Sequence, residues 1–506
     1  MNAALAALPV LATLVLLALR VRALYASLAA LGTAVVLTAT AFRTPWGRLG
    51  DAQLHMLPTV VELAAILFGG ILLSELMNRT GVQARLGDRI GSACSSPARA
   101  VLLVMLGVTP FAESLTGFGI GVVVAVPLLR GLGLPPARAA AVGLLGLVTV
   151  PWGSLAPGSL VAAELGGVGF RQLGVDSAVL SAPVFLICGA AALTIAFGLR
   201  RAAASTGELL LAAGVLWGTV WSVNTFVGVP LAGVLGGLAT VLVLLLVSGA
   251  RERGGRGEPV GRVLAPYAFL VAGLLAGRAA LAWAGVEDGW WAVLAGPGGW
   301  LPLTGLLTPA LLGAREPVLG AATRATLGRW WQVTLTTVVF LTLGTLLTVT
   351  GMSRELADAC ASLGGAYLVL APWIGAVGGF LAGSNTGANA MFAAGQAGAA
   401  QALGYSAGHL VAVQNVSAAL ASGAAVARVA LAAELATTAH GPAPGPAEPS
   451  SPAAERTAGG GTAVRTAAPA RTAAGAPADT GWVLRTVLVV HALVFVTLGI
   501  IASVWR

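Results

Sequence analysis

The sequence predicts an all-α integral membrane protein of about 12–14 transmembrane helices in two inverted-repeat halves, each with a broken, re-entrant helical hairpin. Three observations carry this. Only 9% of the 506 residues are charged and 57% are hydrophobic, with a mean hydropathy of +0.89, whereas soluble domains are about a quarter charged. Apolar sequence recurs in blocks of about 20 residues, the length that crosses ~30 Å of hydrocarbon. Two stretches, 112–135 and 383–404, interrupt the pattern with Gly and small polar residues.

In chain order the apolar blocks lie near 4–19, 23–42, 57–77, 98–111, 138–150, 178–199, 208–226, 230–249, 263–284, 300–313, 331–350, 364–382, 407–436 and 482–504. The first lacks a basic segment ahead of it, so it reads as a retained helix rather than a signal peptide. Residues 1–205 form the first half, with its hairpin near 112–135. Residues 206–439 form the second, with its hairpin near 383–404. Residues 440–480 are dominated by Pro, Ala, Gly, Ser and Thr, too little apolar surface to offset the entropy of ordering, and read as a disordered, dispensable tether. Residues 481–506 are a terminal transmembrane helix.

The net charge of +9 does not indicate nucleic acid. The basic residues are arginines in short connections between apolar blocks: Arg20 and Arg22, then Arg79, Arg85, Arg89 and Arg99, then Arg200 and Arg201. Further groups follow at Arg251–Arg262 and Arg315–Arg329. Intervening connections are poor in Arg or carry acids such as Glu287 and Asp288, with Arg43 and Arg48 as exceptions. This asymmetry places the Arg-rich loops in the cytoplasm and the N-terminus outside. Cys94, Cys188 and Cys360 stand far apart, in neither a disulfide framework nor a metal-ligand spacing. No catalytic constellation, metal site or cofactor motif is present in the sequence, which excludes an enzyme reading.

The two interruptions echo each other. Ala112-Glu113-Ser114-Leu115-Thr116-Gly117 matches Ala382-Gly383-Ser384-Asn385-Thr386-Gly387, and Leu132-Gly133 and Leu403-Gly404 follow at nearly equal distance. Paired interrupted helices at corresponding positions point to a transporter's central site. A break inside a bilayer frees backbone groups that must be buried or face a water-filled cavity. Gly117, Gly119 and Gly383 let the chain reverse; Ser114, Thr116, Ser384, Asn385 and Thr386 add hydroxyl and amide groups. Helix N-termini meeting there would hold a small carboxylate. The alternative is that these small residues line a tight helix–helix contact.

Glu113 is an ionisable residue inside an apolar run, costly there and a functional candidate by default. It is the expected proton-coupling acid, with Glu62 second. A structural acid paired with Arg is the competing reading. Arg428, embedded in apolar sequence, either pairs with a substrate carboxylate or with Glu434. Gln414 and Asn415 are amides suited to site lining. Arg130 reads as a snorkelling interfacial residue, and His409 as structural.

At "FAESLTGFG" (111–119), "LLRGLGLPPARAA" (128–140) and "FLAGSNTGANAMFAAGQ" (380–396) the sequence resembles the bacterial L-lactate permease (lactate/glycolate permease) family. The resemblance covers roughly residues 1–435, with motif-level matches at the two hairpins, including Asn389-Ala390-Met391-Phe392. It implies Asn389 as a further site residue and a proton-coupled importer of lactate, glycolate or a related 2-hydroxymonocarboxylate in the bacterial cell membrane. The chain departs from the family pattern at Ser422–Arg428 and at Val148-Thr149-Val150-Pro151. The Ser-Asn-Thr core is also similar to sodium-coupled carboxylate transporters, so sodium is the alternative coupling ion. A channel would need a continuous polar pore rather than two clusters. The expected partners are thus a small carboxylate, a proton or sodium ion, and lipid; homo-oligomeric assembly is compatible with this reading.

Overall fold

The computed structural model describes residues 2–80, 96–117, 119–248, 260–285, 296–313, 318–438 and 478–505. Most of the tether at 440–480 lies outside the described residues, as do Arg85, Arg89, Cys94, Arg251, Arg315, Glu287 and Asp288.

Every regular element among the described residues is helical. The first half comprises α1 (Asn2–Ala18), α2 (Ala23–Thr40), α3 (Trp46–Arg79), α4 (Pro97–Thr116), α5 (Ile120–Gly131), α6 (Pro136–Leu145), α7 (Pro157–Gly166) and α8 (Phe170–Phe197). The second comprises α9 (Thr206–Phe226), α10 (Ala232–Val247), α11 (Val260–Ala284), α12 (Pro297–Leu312), α13 (Val318–Val349), α14 (Met352–Ala361), α15 (Gly365–Ala382), α16 (Asn385–Ala402), α17 (Ala407–Gly423) and α18 (Val426–Thr438). The terminal helix is α19 (Thr480–Val504).

Ten helices are long and apolar enough to cross a membrane among the described residues, and the pair α17–α18, bent by 42°, makes an eleventh. The remaining apolar blocks are shorter. Helices α5 and α6 hold 12 and 10 residues, or roughly 15–18 Å of rise, about half the hydrocarbon thickness. A helix of that length cannot cross the hydrocarbon alone.

Small residues set the packing. Gly375 and Gly379, one helical turn apart on α15, let it close on α17: a Cβ at Gly375 would meet the Gln414 carbonyl oxygen at 3.0 Å, and one at Gly379 would overlap Ala418. Lipid offers no hydrophobic drive for helix association, so such close approach supplies the van der Waals contact. On α4, Pro110 cannot donate to the carbonyl four residues back; the helix widens into a π turn over Leu103–Val108, and Thr109 Oγ1 donates to Val104 O at 2.7 Å. Gly107 and Gly237 then bring α4 against α10, where a Cβ at Gly237 would lie 2.5 Å from Phe111 N.

Two arginines from connections assigned to the cytoplasm meet at one acid. Arg79 Nε lies 2.8 Å and Arg329 Nη1 3.3 Å from the Glu75 carboxylate. The terminal helix is no loose appendage: it buries Val487, His491, Val494, Leu498 and Ala502 and packs on α15, α6 and α8. At Gly499 a Cβ would meet Val369 O at 2.8 Å. Gly499→Leu is expected to lower stability by about 1–3 kcal/mol through overpacking, read as a fall in melting temperature of the purified protein in detergent.

Candidate functional site

The first break lies between α4 and α5. Gly117 ends α4 at φ 65°, ψ −161°, a conformation open to glycine and strained for other residues. Glu113, 1% exposed, folds across the break. Its Oε1 accepts from Gly119 N at 3.2 Å and its Oε2 from Gly121 N at 3.1 Å. The carboxylate thus satisfies the positive end of α5, an arrangement favoured by the helix dipole. Gly119 itself sits against Arg428, where an added Cβ would lie 3.5 Å from Nε.

The second break separates α15 from α16. Gly383 turns the chain at φ 61°, and Ser384 caps α16 through Oγ, which accepts from Gly387 N at 3.2 Å. Among the described residues the N–H groups of Asn385 and Thr386 have no intrahelical partner, as the first turn of any helix leaves them. Behind them runs a buried amide network. Asn415 Oδ1 accepts from Asn385 Nδ2 and Asn389 Nδ2, both at 2.9 Å. Asn415 Nδ2 donates to Ser159 Oγ at 2.9 Å and Ser177 Oγ at 3.1 Å. Asn389 Nδ2 also donates to Gly158 O at 3.0 Å. The chain continues through Gln414 and Gln396 to the Tyr367 hydroxyl, 2.8 Å from Gln396 Oε1. The network stitches α16 and α17 of the second half to α7 and α8 of the first.

A third break was not anticipated. Between α6 and α7 the chain leaves helical geometry at Gly153, and Ser154, Leu155 and Ala156 follow in succession at φ 46°, 65° and 76°. Left-handed conformations at non-glycine residues cost of order 1–3 kcal/mol each and persist where the surroundings over-determine them. The only sequence signal was the Pro151 and Pro157 pair bracketing Gly153.

All three breaks open onto one cavity of about 640 Å³. Glu113, Gly117 and Ser154 form one wall, Ser384, Asn385, Thr386 and Gly387 another, and Arg428 lies between them. Arg428 donates from Nη1 to Ser422 Oγ at 2.9 Å, and among the described residues it forms an ion pair with neither Glu434 nor Glu113. The cavity extends to Arg22, Tyr25, Trp331 and Gln332.

Of the expected site residues, Glu113, Gly117, Ser384, Asn385, Thr386 and Arg428 line this cavity. Gly119 supports it from behind, and Asn389 and Gln414 belong to the amide network. Ser114 and Thr116 turn away: Ser114 Oγ lies 3.5 Å from Thr149 Oγ1 and against Gly233, and Thr116 Oγ1 donates to Ala112 O at 2.6 Å. Glu62 packs beside Gly298. Arg130 closes the α5–α6 turn through Leu134 O at 2.7 Å. His409 stacks on Trp505, with ring centroids 3.8 Å apart.

Helices of bilayer length around a cavity built from broken helices, with one half-buried Arg and one buried Glu on its walls, define a multi-pass membrane protein of the permease class. The family model for L-lactate permease matches residues 2–249 and 291–440, and the chain belongs to that family. The L-lactate permease of Streptococcus iniae is 25% identical over 328 residues, covering 58% of this chain and 68% of that protein. The family match ends at 440, ahead of the tether and α19.

Asn415 serves four partners at once; in Asn415→Leu, Asn389 keeps Gly158 O and Ser159 keeps Pro151 O, but Asn385 Nδ2 and Ser177 Oγ lose their partner. Each buried unmet group costs roughly 1–3 kcal/mol. A drop in melting temperature larger than that of Gly499→Leu, with loss of substrate binding, is the expected result.

Proposed function

We propose that the protein imports lactate, glycolate or a related small monocarboxylate through the bacterial cell membrane together with a proton. The observation that carries this is the meeting of Glu113, Arg428 and the N-terminus of α16 on one cavity. Arg428 and the Asn385 and Thr386 N–H groups suit a single carboxylate. Membership of the L-lactate permease family and the name of the relative from Streptococcus iniae support the substrate class.

The coupling follows from charge. With Glu113 ionised, the cavity that holds Arg428 already carries an anion, and a second carboxylate there would be repelled. Protonating Glu113 removes that negative charge and weakens its hold on the α5 amides. Arg428 is then available to the substrate. Proton and anion together cross as a neutral pair, which lowers the electrostatic barrier in a low-dielectric interior.

The halves act as a pair in this reading. A shift of 270 residues carries Ser114 onto Ser384, and Ala162-Ala163-Glu164-Leu165 onto Ala432-Ala433-Glu434-Leu435. The same shift carries Gly119 onto Asn389 and Gly158 onto Arg428. The contact between Asn389 and Gly158 and that between Gly119 and Arg428 are thus counterparts, as expected of an isologous two-fold interface. Rocking of one half against the other would alternate access to the cavity. In this conformation the cavity reaches Arg22 and the segment after Arg329, the side assigned to the cytoplasm.

In proteoliposomes, Glu113→Gln is expected to keep substrate counterflow and to lose accumulation driven by a pH gradient. Accumulation like that of the wild type, or accumulation that requires a sodium gradient, would overturn proton coupling through Glu113. Arg428→Gln is expected to weaken substrate binding by at least tenfold, about 1.4 kcal/mol, with insertion preserved. An unchanged affinity would return Arg428 to a structural role.

A further inference from the structure

The third break carries an unexplained group. Ser154 is 4% exposed and lines the cavity, yet among the described residues its Oγ has no hydrogen-bond partner. Buried hydroxyls in native proteins are nearly always paired. The surrounding structure holds this one in place. Trp152 Nε1 donates to Asn224 Oδ1 at 3.2 Å on one side of it, and Ser159 Oγ donates to Pro151 O at 2.6 Å on the other. Two glycines leave room for the side chain: a Cβ at Gly70 would lie 2.5 Å from Ser154 Oγ, and one at Gly117 would lie 2.6 Å from Ser154 Cβ. The left-handed backbone at Ser154 is therefore maintained by its neighbours, in a region where strain commonly marks a functional site.

We propose that Ser154 is a specificity-determining residue that hydrogen-bonds the 2-hydroxyl of a bound 2-hydroxymonocarboxylate. The inference rests on the monocarboxylate reading above and deepens it. Arg428 and the α16 N-terminus hold the carboxylate; the hydroxyl on the adjacent carbon then needs a neutral partner that can both donate and accept, which a serine hydroxyl is. Charge is already matched by Arg428, so a second cation is not required at this wall. A site built around such a bond discriminates against the analogue lacking the hydroxyl, because only the hydroxy acid gives Ser154 the partner it otherwise lacks.

The test is competition against labelled lactate in counterflow by reconstituted full-length protein, with lactate and propionate as a pair and glycolate and acetate as a second. The wild type is expected to prefer each hydroxy acid about tenfold or more. Ser154→Ala should weaken the hydroxy acids to the level of their deoxy analogues and leave the deoxy analogues unchanged. Its melting temperature without substrate should not fall, because the replaced hydroxyl bonds nothing there. Ser154→Gly, which relieves the left-handed strain as well, should lose the same preference if alanine impairs folding. A preference retained in both variants, or an equal loss for both acids of a pair, overturns the assignment of Ser154. Failure of the wild type to bind any of the four acids overturns the monocarboxylate reading itself, and is told apart because it precedes any comparison of variants.

Discussion

Backbone groups freed inside a bilayer must find partners within the protein, and Glu113 is where this chain meets that demand most directly. Its two carboxylate oxygens take the N–H groups of Gly119 and Gly121. Hydrocarbon offers no substitute for those bonds, so the carboxyl group supports the reversal at Gly117 beside which the cavity opens. The same constraint recurs at Ser384, whose hydroxyl takes the Gly387 N–H. The two breaks meet it differently: a carboxyl group caps the first and a hydroxyl the second.

The amide network answers a related demand. Asn385, Asn389, Gln396, Gln414 and Asn415 are buried, where an unpaired amide is far more costly than in water. They satisfy one another and reach across the halves to Gly158, Ser159 and Ser177. A network so fully connected gives specificity of packing, and it places Asn385 at the cavity wall with its amide already committed on the inner side. Close glycine contacts between α15 and α17 hold the same region from the lipid side. The proposed binding surface thus rests on rigid elements, with the irregular backbone confined to the three breaks.

Glycine and proline account for where those breaks fall. Gly117 and Gly383 adopt left-handed φ values and end α4 and α15. Pro110 and the π turn before it shift the register of α4, in the stretch that aims Glu113 across the break. The segment at 150–156 has no glycine at its three left-handed positions. Its geometry is imposed by Trp152 and Ser159 bonding to neighbours and by space left at Gly70 and Gly117.

Composition and block length determined the all-helical membrane class by themselves, because burial in lipid requires long apolar runs regardless of how they pack. The paired Ser-x-Thr-Gly interruptions lie where α4 ends at Gly117 and α15 at Gly383, since glycine there can take the positive φ at which a helix stops. Glu113 and Arg428 stood out as charges embedded in apolar sequence. Which residues face the cavity was decided only in three dimensions. Ser114 and Ser384 occupy matching positions in the echo, yet Ser114 turns toward α10 and Ser384 toward the cavity, because orientation about a helix axis is set by neighbours remote in the chain. The strained turn at Ser154 left almost no local signal for the same reason: its conformation is stabilised by contacts from α3, α4 and α9, which no window of sequence contains.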